Sequence, residues 1–503
     1  MRETRPTLSW PAYFLVAGVA LFTFLPWVRG YFLGDDWMLY ARNSGRPLPE
    51  LLQQLSDASC SSQYRPLSEL SLRLFWSLFG FNPVGHHVVN LVLHAANAVL
   101  VAVLGQRLAR DRRVGLWAGL SFAVFGCHTE AVLWMTARHE MIAAGLALLG
   151  LVLYTQFRKT GKHGWWVGAF FAYVAGLGFK ETVLMLPLLV GLYDLLFTLP
   201  TRQHGQQRLR VGQVIPAASL ALVGLAYSLF RLRVGGAYDV PITLLGPPKN
   251  LLYYLLMETI ALPASTSFLA RFPWAILPVL VSLAAACVLL AWLARKQGVR
   301  NRAVWFGAGW TVIALAPVIL IVAERTTYFS SVGWAWVIAS LTVLAWDAAV
   351  QDNSRLRRWL VAVAAVLILG ANLSTATHRA YFWDRSAGIS YTVFSRVRAE
   401  MQALPPEGTE HFWFVNAPNT IEYAVAFGSR VDFAVWLLQE QAQKQVGERD
   451  VDVLLLSRRG SEPPLDEWLA QQVAERGVKG PALAFYWQDG QVVTQRVDKD
   501  VEE

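Results

Sequence analysis

The sequence predicts a mostly α-helical, polytopic membrane protein with about eleven transmembrane helices, followed by a small C-terminal α/β domain outside the membrane. Three observations predict this. Hydrophobic residues make up 55% of the 503 residues and charged residues only 16%, against about 25% in average soluble chains. Apolar runs recur that approach the roughly 20 residues needed to span a bilayer. Basic residues lie in short clusters between these runs, so the net charge of +9 indicates membrane orientation rather than nucleic-acid binding.

The basic clusters set the predicted topology, because cytoplasmic loops of membrane proteins are enriched in Lys and Arg. Two apolar runs separate each cluster from the next. The N-terminal run lacks a small-residue cleavage site and is interpreted as a retained helix. The eleven predicted spans place the C-terminus outside the cytoplasm, and the membrane is interpreted as a bacterial inner (plasma) membrane; the spans are 10–29, 86–105, 114–127, 141–157, 165–180, 183–199, 211–230, 274–294, 303–323, 332–349 and 359–377.

The predicted domains are a membrane domain over 1–377 and a small extracytoplasmic α/β domain over 378–503. The first outer loop covers 30–85. Residues 250–270 are predicted to be re-entrant or interfacial, because Glu258 and the parity of the later clusters oppose a crossing. In the C-terminal domain, HFWFV and VDVLLL predict strands, VDFAVWLLQEQAQKQV predicts a helix, and FYWQDGQVVTQRV predicts a hairpin around Asp489-Gly490.

Asp35 and Asp36 directly follow the first predicted span. Adjacent carboxylates raise each other's pKa, and one of them can serve as a general base. The alternative interpretation is structural, with Asp35 capping a short helix over DWMLYAR.

A row of polar side chains follows one face of the second predicted span. His86, Asn90, His94 and Asn97 recur at helical spacing beside His87, and the row covers about 16 Å. Ionisable residues at membrane depth usually line a cavity or a site. A metal site is the less favoured interpretation, because no Cys or carboxylate shares this face. The three cysteines, Cys60, Cys127 and Cys287, indicate no disulfide framework.

Charged groups recur at the predicted outer ends of several spans. They are His128-Thr129-Glu130, Arg138-His139-Glu140, Lys180-Glu181 and Glu324-Arg325 with Tyr328. Cations from separate helix ends suit an anionic head group, since Arg and Lys hold phosphate. Mutual neutralisation within neighbouring pairs is the structural alternative.

Five ordered motifs carry a resemblance to a known family. They are Tyr64-Arg65-Pro66-Leu67; the run from Leu78 to His94, LFGFNPVGHHVVNLVLH; His128-Thr129-Glu130 with Ala137-Arg138; Phe179-Lys180-Glu181 with Tyr193-Asp194; and Glu324-Arg325 with Tyr328 and Ser331. In this order they resemble the membrane part of the transmembrane and tetratricopeptide-repeat O-mannosyltransferases. The chain departs from that family after the membrane part, where a small α/β domain is predicted instead of repeats.

The resemblance implies a C-type (GT-C) glycosyltransferase fold. It also implies a polyprenyl-phosphate-sugar donor and an acceptor hydroxyl of a protein, lipid or envelope glycan on the non-cytoplasmic face. Asp35 or Asp36 would be the base, and the donor's phosphate or sugar would meet Arg65, His86, His128, Arg138, His139, Lys180, Glu181, Arg325 and Tyr328. The partners expected are this donor, the acceptor and the lipid bilayer, with no nucleic acid. No metal ligand is assigned, and a divalent cation stays open. The alternatives are a transporter or lipid flippase, and an inactive scaffold.

Overall fold

The computed structural model describes residues 9–44, 47–53, 64–198, 211–234, 246–259 and 298–403, and in the C-terminal part 409–415, 420–421, 424–425, 450–458, 462–476, 482–488 and 491–497. The chain divides into two compact units. The first unit comprises Met1–Val28, Pro47–Ser71 and Gly85–Ala380. The second unit comprises Arg29–Arg46, Leu72–Val84 and Tyr381–Glu503.

Helices dominate the described chain up to residue 403. Their bounds are α1 Trp10–Phe24, α2 Asp35–Ser44, α3 Leu48–Gln53, α4 Pro66–Phe79, α5 Pro83–Ala109, α6 Arg112–Val124, α7 Thr129–Leu133, α8 Arg138–Thr160, α9 His163–Phe179, α10 Leu186–Tyr193, α11 Val211–Val234, α12 Gly246–Thr259, α13 Val299–Leu315, α14 Thr327–Gln351 and α15 Arg355–Ala403. Short 3₁₀ turns precede α7, α8, α10 and α14, at Gly126–His128, Met135–Ala137, Glu181–Met185 and Glu324–Thr326.

Small residues let the helices of the first unit approach closely. Gly307 on α13 and Gly333 on α14 face each other, and an added Cβ on either would clash with the backbone oxygen of the other. Trp310 Nε1 donates to the Phe329 carbonyl (2.8 Å) across the same interface. Helix association inside a membrane depends on such close packing. This crossing fixes the N-terminal half of α14 against α13.

Seven helical segments among the described residues are long and apolar enough to cross a membrane: Trp10–Trp27, Pro83–Ala109, Met135–Thr160, Glu181–Thr198, Ile215–Arg233, Glu324–Gln351 and Arg355–Ala403. An eighth candidate is the pair Arg112–Val124 and Gly126–Leu133, which is bent by 54°. The protein is thus an integral membrane protein by its helices.

The eleven predicted spans differ from this count at four places. Span 114–127 is the first part of the bent pair. Spans 165–180 and 303–323 correspond to α9 and α13, each of 17 residues, which is at the lower limit of the length needed for a crossing. Span 274–294 lies outside the described residues, as does the part of the 250–270 segment beyond α12. The last predicted span, 359–377, lies within α15, which continues without a break to Ala403. The predicted domain boundary at 377/378 therefore falls inside a helix.

The second unit holds α2 among aromatic side chains. Gly34 adopts a left-handed conformation (φ +47°) that turns the chain into α2. Trp37 is fully buried and stacks on Phe394 of α15, with ring centroids 5.0 Å apart. Ser390 Oγ donates to the Phe32 carbonyl (2.5 Å). The segment that carries the acidic pair is therefore anchored on the C-terminal part of α15.

The second unit also contains a mixed four-stranded sheet with strand order β4-β1-β5-β6. Its strands are β1 Thr409–Val415, β4 Asp450–Leu456, β5 Ala482–Gln488 and β6 Gln491–Val497, while β2 Thr420–Ile421 and β3 Ala424–Val425 form a separate pair. β1 runs parallel to β4 and β5, and β6 is antiparallel to β5. Helix α16, Leu465–Arg476, packs Trp468 and Leu469 against Trp413. The helix predicted at VDFAVWLLQEQAQKQV and the Asp489-Gly490 turn lie outside the described residues.

Candidate functional site

Buried and partly buried ion pairs join distant segments of the first unit. We call this set the buried ion cluster. It comprises Arg65, Glu130, Glu140, Lys180, Glu181, Arg231, Glu324, Arg325 and Arg379. Arg65 and Arg231, which come from segments far apart in sequence, both contact the carboxylate of Glu181, the residue after Lys180. The cluster therefore gathers cations from several helix ends.

Glu181 is held by two arginines. Arg65 makes a two-pronged contact, with Nε 3.0 Å from Oε2 and one terminal nitrogen 2.6 Å from Oε1. Arg231, near the end of α11, lies 3.2 Å from the same carboxylate. The planar guanidinium fork matches carboxylate and phosphate alike. These arginines thus have the geometry of an oxyanion site.

Lys180 pairs with Glu140 of α8 rather than with its neighbour Glu181. Its side chain is only 4% exposed and that of Glu140 only 1%. Lys180 has an extended backbone (φ −159°, ψ 142°) between α9 and the next 3₁₀ turn, so adjacent side chains diverge. His139 Nδ1 donates to the Thr136 carbonyl (2.8 Å), and its Nε2 lies 3.9 Å from Glu140. The predicted structural pairing of Lys180 with Glu181 is replaced by pairs that cross between helices.

Arg325 is fixed by three contacts with two residues, Glu130 and Trp134. Its guanidinium pairs with Glu130, its backbone N–H donates to Glu130 Oε2 (2.8 Å), and it lies 4.9 Å from the ring of Trp134. Glu324 instead pairs with Arg379 of α15 (2.7 Å). Consecutive helical residues point in different directions, which explains why Glu324 and Arg325 have separate partners.

Arg138 is fully buried at the start of α8. Its Nε donates to the Met135 carbonyl (2.9 Å), and a terminal nitrogen lies 3.3 Å from His86 Nδ1. Since that guanidinium nitrogen is a donor, His86 accepts at Nδ1. Arg138 and His86, both predicted site residues, thus meet across α5 and α8.

The polar row on α5 enters a second group, which we call the buried polar network: His94, Asn97, His128, Tyr328 and Ser331. His94 Nε2 lies 3.2 Å from the Ala123 carbonyl and therefore carries the proton, so Nδ1 accepts from the Tyr328 hydroxyl (2.9 Å). Asn97 Nδ2 donates to the same hydroxyl (3.2 Å). His128 Nε2 contacts Ser331 Oγ (2.8 Å). The Tyr328 hydroxyl is thus engaged inside the bundle.

The acidic pair lies in the second unit, at the start of α2. Asp36 is buried, and its Oδ2 accepts a hydrogen bond from the Leu33 backbone N–H (3.0 Å). Asp35 is partly exposed. Asp35 is thus the more accessible acid of the pair.

Arg231 and Arg379 were not among the residues predicted for the site. Both follow spans that the predicted topology directs outward, so they are exceptions to the enrichment of basic residues on the cytoplasmic side. That exception is the signal by which the sequence could have revealed them. Among the described residues, no group of three or more His, Cys, Asp or Glu side chains is arranged to hold a metal ion.

The fold defines an integral membrane protein, and the buried ion cluster gathers paired cations and carboxylates at the ends of its helices. Its curated relatives are protein O-mannosyl-transferases. Human Protein O-mannosyl-transferase TMTC4 is 27% identical over 400 residues, covering 64% of this chain and 54% of the human protein. Fruit-fly Protein O-mannosyl-transferase Tmtc1 is 31% identical over 190 residues, covering 36% of this chain and 22% of the fly protein. The resemblance predicted from the five motifs is confirmed.

The matched regions span about half or less of the length of these curated relatives. No family model matches the chain. Two solved structures are similar over most of the chain at low sequence identity. ArnT from Cupriavidus metallidurans bound to undecaprenyl phosphate has a TM-score of 0.41 at 15% identity, covering 98% of this chain and 99% of that one. AglB from Archaeoglobus fulgidus, in complex with an inhibitory peptide and a dolichol-phosphate, has 0.47 at 11%, covering 95% and 70%.

Proposed function

We propose that this protein transfers a hexose from a polyprenyl-phosphate donor to an acceptor hydroxyl on the non-cytoplasmic face of the membrane. The observation that carries the proposal is that Arg65, Lys180 and Arg325, which come from separate segments, are each held by a carboxylate of the buried ion cluster. The relationship to protein O-mannosyl-transferases supports glycosyl transfer and does not favour a transporter or flippase. The acceptor class, which could be protein, lipid or envelope glycan, and the bacterial membrane stay predictions.

Buried cations suit the leaving group of this reaction. A bond forms between the acceptor oxygen and the anomeric carbon, while the bond from that carbon to the phosphate oxygen breaks. The electron pair leaves with the polyprenyl phosphate, so negative charge grows on the phosphate. Donors that are already oriented in a water-poor site stabilise such charge more strongly than water does. Arg65, Arg138, Lys180 and Arg325 are proposed to act in this way, with His86, His128, His139, Glu181 and Tyr328 lining or supporting the same site.

The acceptor's proton passes to Asp35 or Asp36 in this proposal. Asp35 is the first choice, because it is partly exposed, whereas Asp36 is buried and accepts from the Leu33 N–H. A positioned general base contributes about 10²–10⁴-fold to a rate.

Sugar transfer from synthetic polyprenyl-phosphate hexoses to a panel of hydroxyl acceptors tests this function. The purified protein in lipid nanodiscs should form product, and Asp35→Asn should lower the rate by about 10²–10⁴-fold. Asp384→Asn is the matched control, since Asp384 is an exposed acid on α15 of the same unit. Full turnover in both Asp35→Asn and Asp36→Asn would place the base elsewhere.

A further inference from the structure

Helix α12 carries a row of three polar side chains, Asn250, Tyr254 and Glu258, spaced four residues apart. This spacing places them on one face of the helix. Tyr254 and Glu258 are buried, with exposures of 0% and 1%. The sequence predicts only a re-entrant or interfacial segment here and gives no reason for a buried acid. The hydrogen-bond partners of the three side chains explain why these polar groups are buried.

All three side chains bond to the segment that leads into α14 or to the first turn of that helix. Asn250 Nδ2 donates to the Ile319 carbonyl (2.8 Å). The Tyr254 hydroxyl lies 3.2 Å from the Val318 carbonyl and 2.9 Å from Thr326 Oγ1. Ser330 Oγ donates to Glu258. The row therefore follows this segment from residue 318 to residue 330, and Arg325 lies within it.

The contact between the Tyr254 hydroxyl and Thr326 Oγ1 lies next to Arg325. Thr326, its partner, is the residue after Arg325, and Thr326 Oγ1 also contacts the Ala323 carbonyl (2.6 Å). The charges of Arg325 and Glu130 both act on the Tyr254 hydroxyl. Leu315 and Val318 pack on the Tyr254 ring, so its position is fixed by apolar contacts as well. A turn held at both flanks restricts where the Arg325 guanidinium can lie.

We infer that Asn250, Tyr254 and Glu258 are positioning residues, which hold the 318–330 segment so that Arg325 meets the donor phosphate. This inference rests on the proposed function. None of the three needs to touch the donor. If the guanidinium of a binding residue is displaced by about 1 Å from its productive position, it can lose most of its contribution to the reaction.

A mutant cycle between Tyr254 and Arg325 tests the inference. Tyr254→Phe removes one hydroxyl and keeps the ring, and Tyr253→Phe is the matched control on the same helix, where the ring lies beside Lys249. The measurement is the affinity of the purified protein for a short-chain polyprenyl phosphate. Tyr254→Phe should weaken binding about fivefold, as expected for one hydrogen bond. Tyr253→Phe should bind as the native protein does.

The Arg325→Ala background separates positioning from general stability. If Tyr254 acts through Arg325, Tyr254→Phe should have no further effect on affinity in that background. An equal loss in both backgrounds, or no loss in the native background, would overturn the inference. If Tyr254→Phe folds poorly, Asn250→Ala is the second variant, because it removes the partly buried hydrogen bond to the Ile319 carbonyl. An equal loss of affinity in both backgrounds, or no loss in the native background, would again overturn the inference. If Arg325→Ala itself binds the phosphate normally, the proposed function fails at Arg325, independently of α12.

Discussion

Ion pairs lie at both ends of α14, and those near its start include the more deeply buried side chains. At its start, Glu324 and Arg325 belong to the buried ion cluster. Near its end, Asp347 pairs with Arg113 and Arg300, and both arginines also contact Asp111, forming what we call the exposed ion network. Residues 325 and 347 are roughly 33 Å apart at 1.5 Å per residue. The Arg379 side chain is 4% exposed and that of Arg325 is 28% exposed, whereas that of Arg113 is 46% exposed.

This difference shows why counting ion pairs says little about function. Exposed pairs form wherever basic loop residues meet an acid, and each contributes about 0–1 kcal/mol. Buried pairs cost desolvation, and a hydrophobic replacement is often as stable. Arg113 and Arg300 follow the second and the eighth predicted spans, which the predicted topology directs to the cytoplasmic side. The charged side chains near the start of α14 cost desolvation free energy without a matching gain in stability, so we expect them to have a function.

The largest expected effect is on stability. Glu140→Ala leaves Lys180 in a buried site without its carboxylate, so the free energy of unfolding should fall by about 3–5 kcal/mol. Asp347→Ala in the exposed ion network should cost about 1 kcal/mol or less. Unfolding of both variants by SDS in mixed micelles measures the contrast. Equal losses of unfolding free energy in the two variants would contradict the distinction between the buried ion cluster and the exposed ion network.

Replacing both members of the buried pair separates folding from binding. In the double variant Lys180→Met and Glu140→Leu, apolar side chains of similar size fill the site, so stability should return to about the native value. Affinity for a polyprenyl phosphate should nevertheless fall about ten- to a hundredfold, since a charge-assisted contact contributes about 1.5–3 kcal/mol. A double variant that is stable and binds normally would assign this pair to structure alone.

A smaller effect is expected from Arg325→Lys. The lysine keeps the charge but loses the planar fork and the stacking on Trp134. Its affinity for the phosphate should lie between those of the native protein and Arg325→Ala. Arg113→Lys is the matched control in the exposed ion network and should bind normally. An Arg325→Lys variant as weak as Arg325→Ala would show that the fork, rather than the charge, dominates.

The smallest effect concerns Asp111. Burial alone would raise the pKa of its carboxyl, but hydrogen bonds from the Arg113 side chain and backbone, with the charges of Arg113 and Arg300, lower it below the ordinary value. The stabilisation from this lowered pKa is present above the ordinary Asp value of about 3.9 and is lost as pH falls through the lower folded-state pKa. Asp111→Asn should therefore cost about 1 kcal/mol or less at pH 7. The difference from the native protein should shrink only below about pH 4, measured by thermal unfolding in detergent.

Much of the helical framework follows from apolar periodicity, while the ion partners do not. The row His86, Asn90, His94 and Asn97 was predicted to share a helical face, and all four are buried on α5. The contact between Arg65 and Glu181 joins residues 116 positions apart, which no local pattern encodes. Adjacency in sequence does not predict the ion pairs, because the side chains of Lys180 and Glu181 diverge at the extended backbone of Lys180. Partner choice here is decided by helix packing.

The affinity for a polyprenyl phosphate analogue, measured on variants that each lack one cation, tests the central claim most directly. Arg138→Ala and Arg325→Ala remove cations from the proposed site, and Arg113→Ala and Arg300→Ala remove them from the exposed ion network. Affinity of each purified variant for a polyprenyl phosphate analogue is measured in the same detergent. The first two should bind about ten- to a hundredfold more weakly, and the last two as the native protein does. Native affinity in all four would make the buried cations structural and favour a transporter or an inactive scaffold.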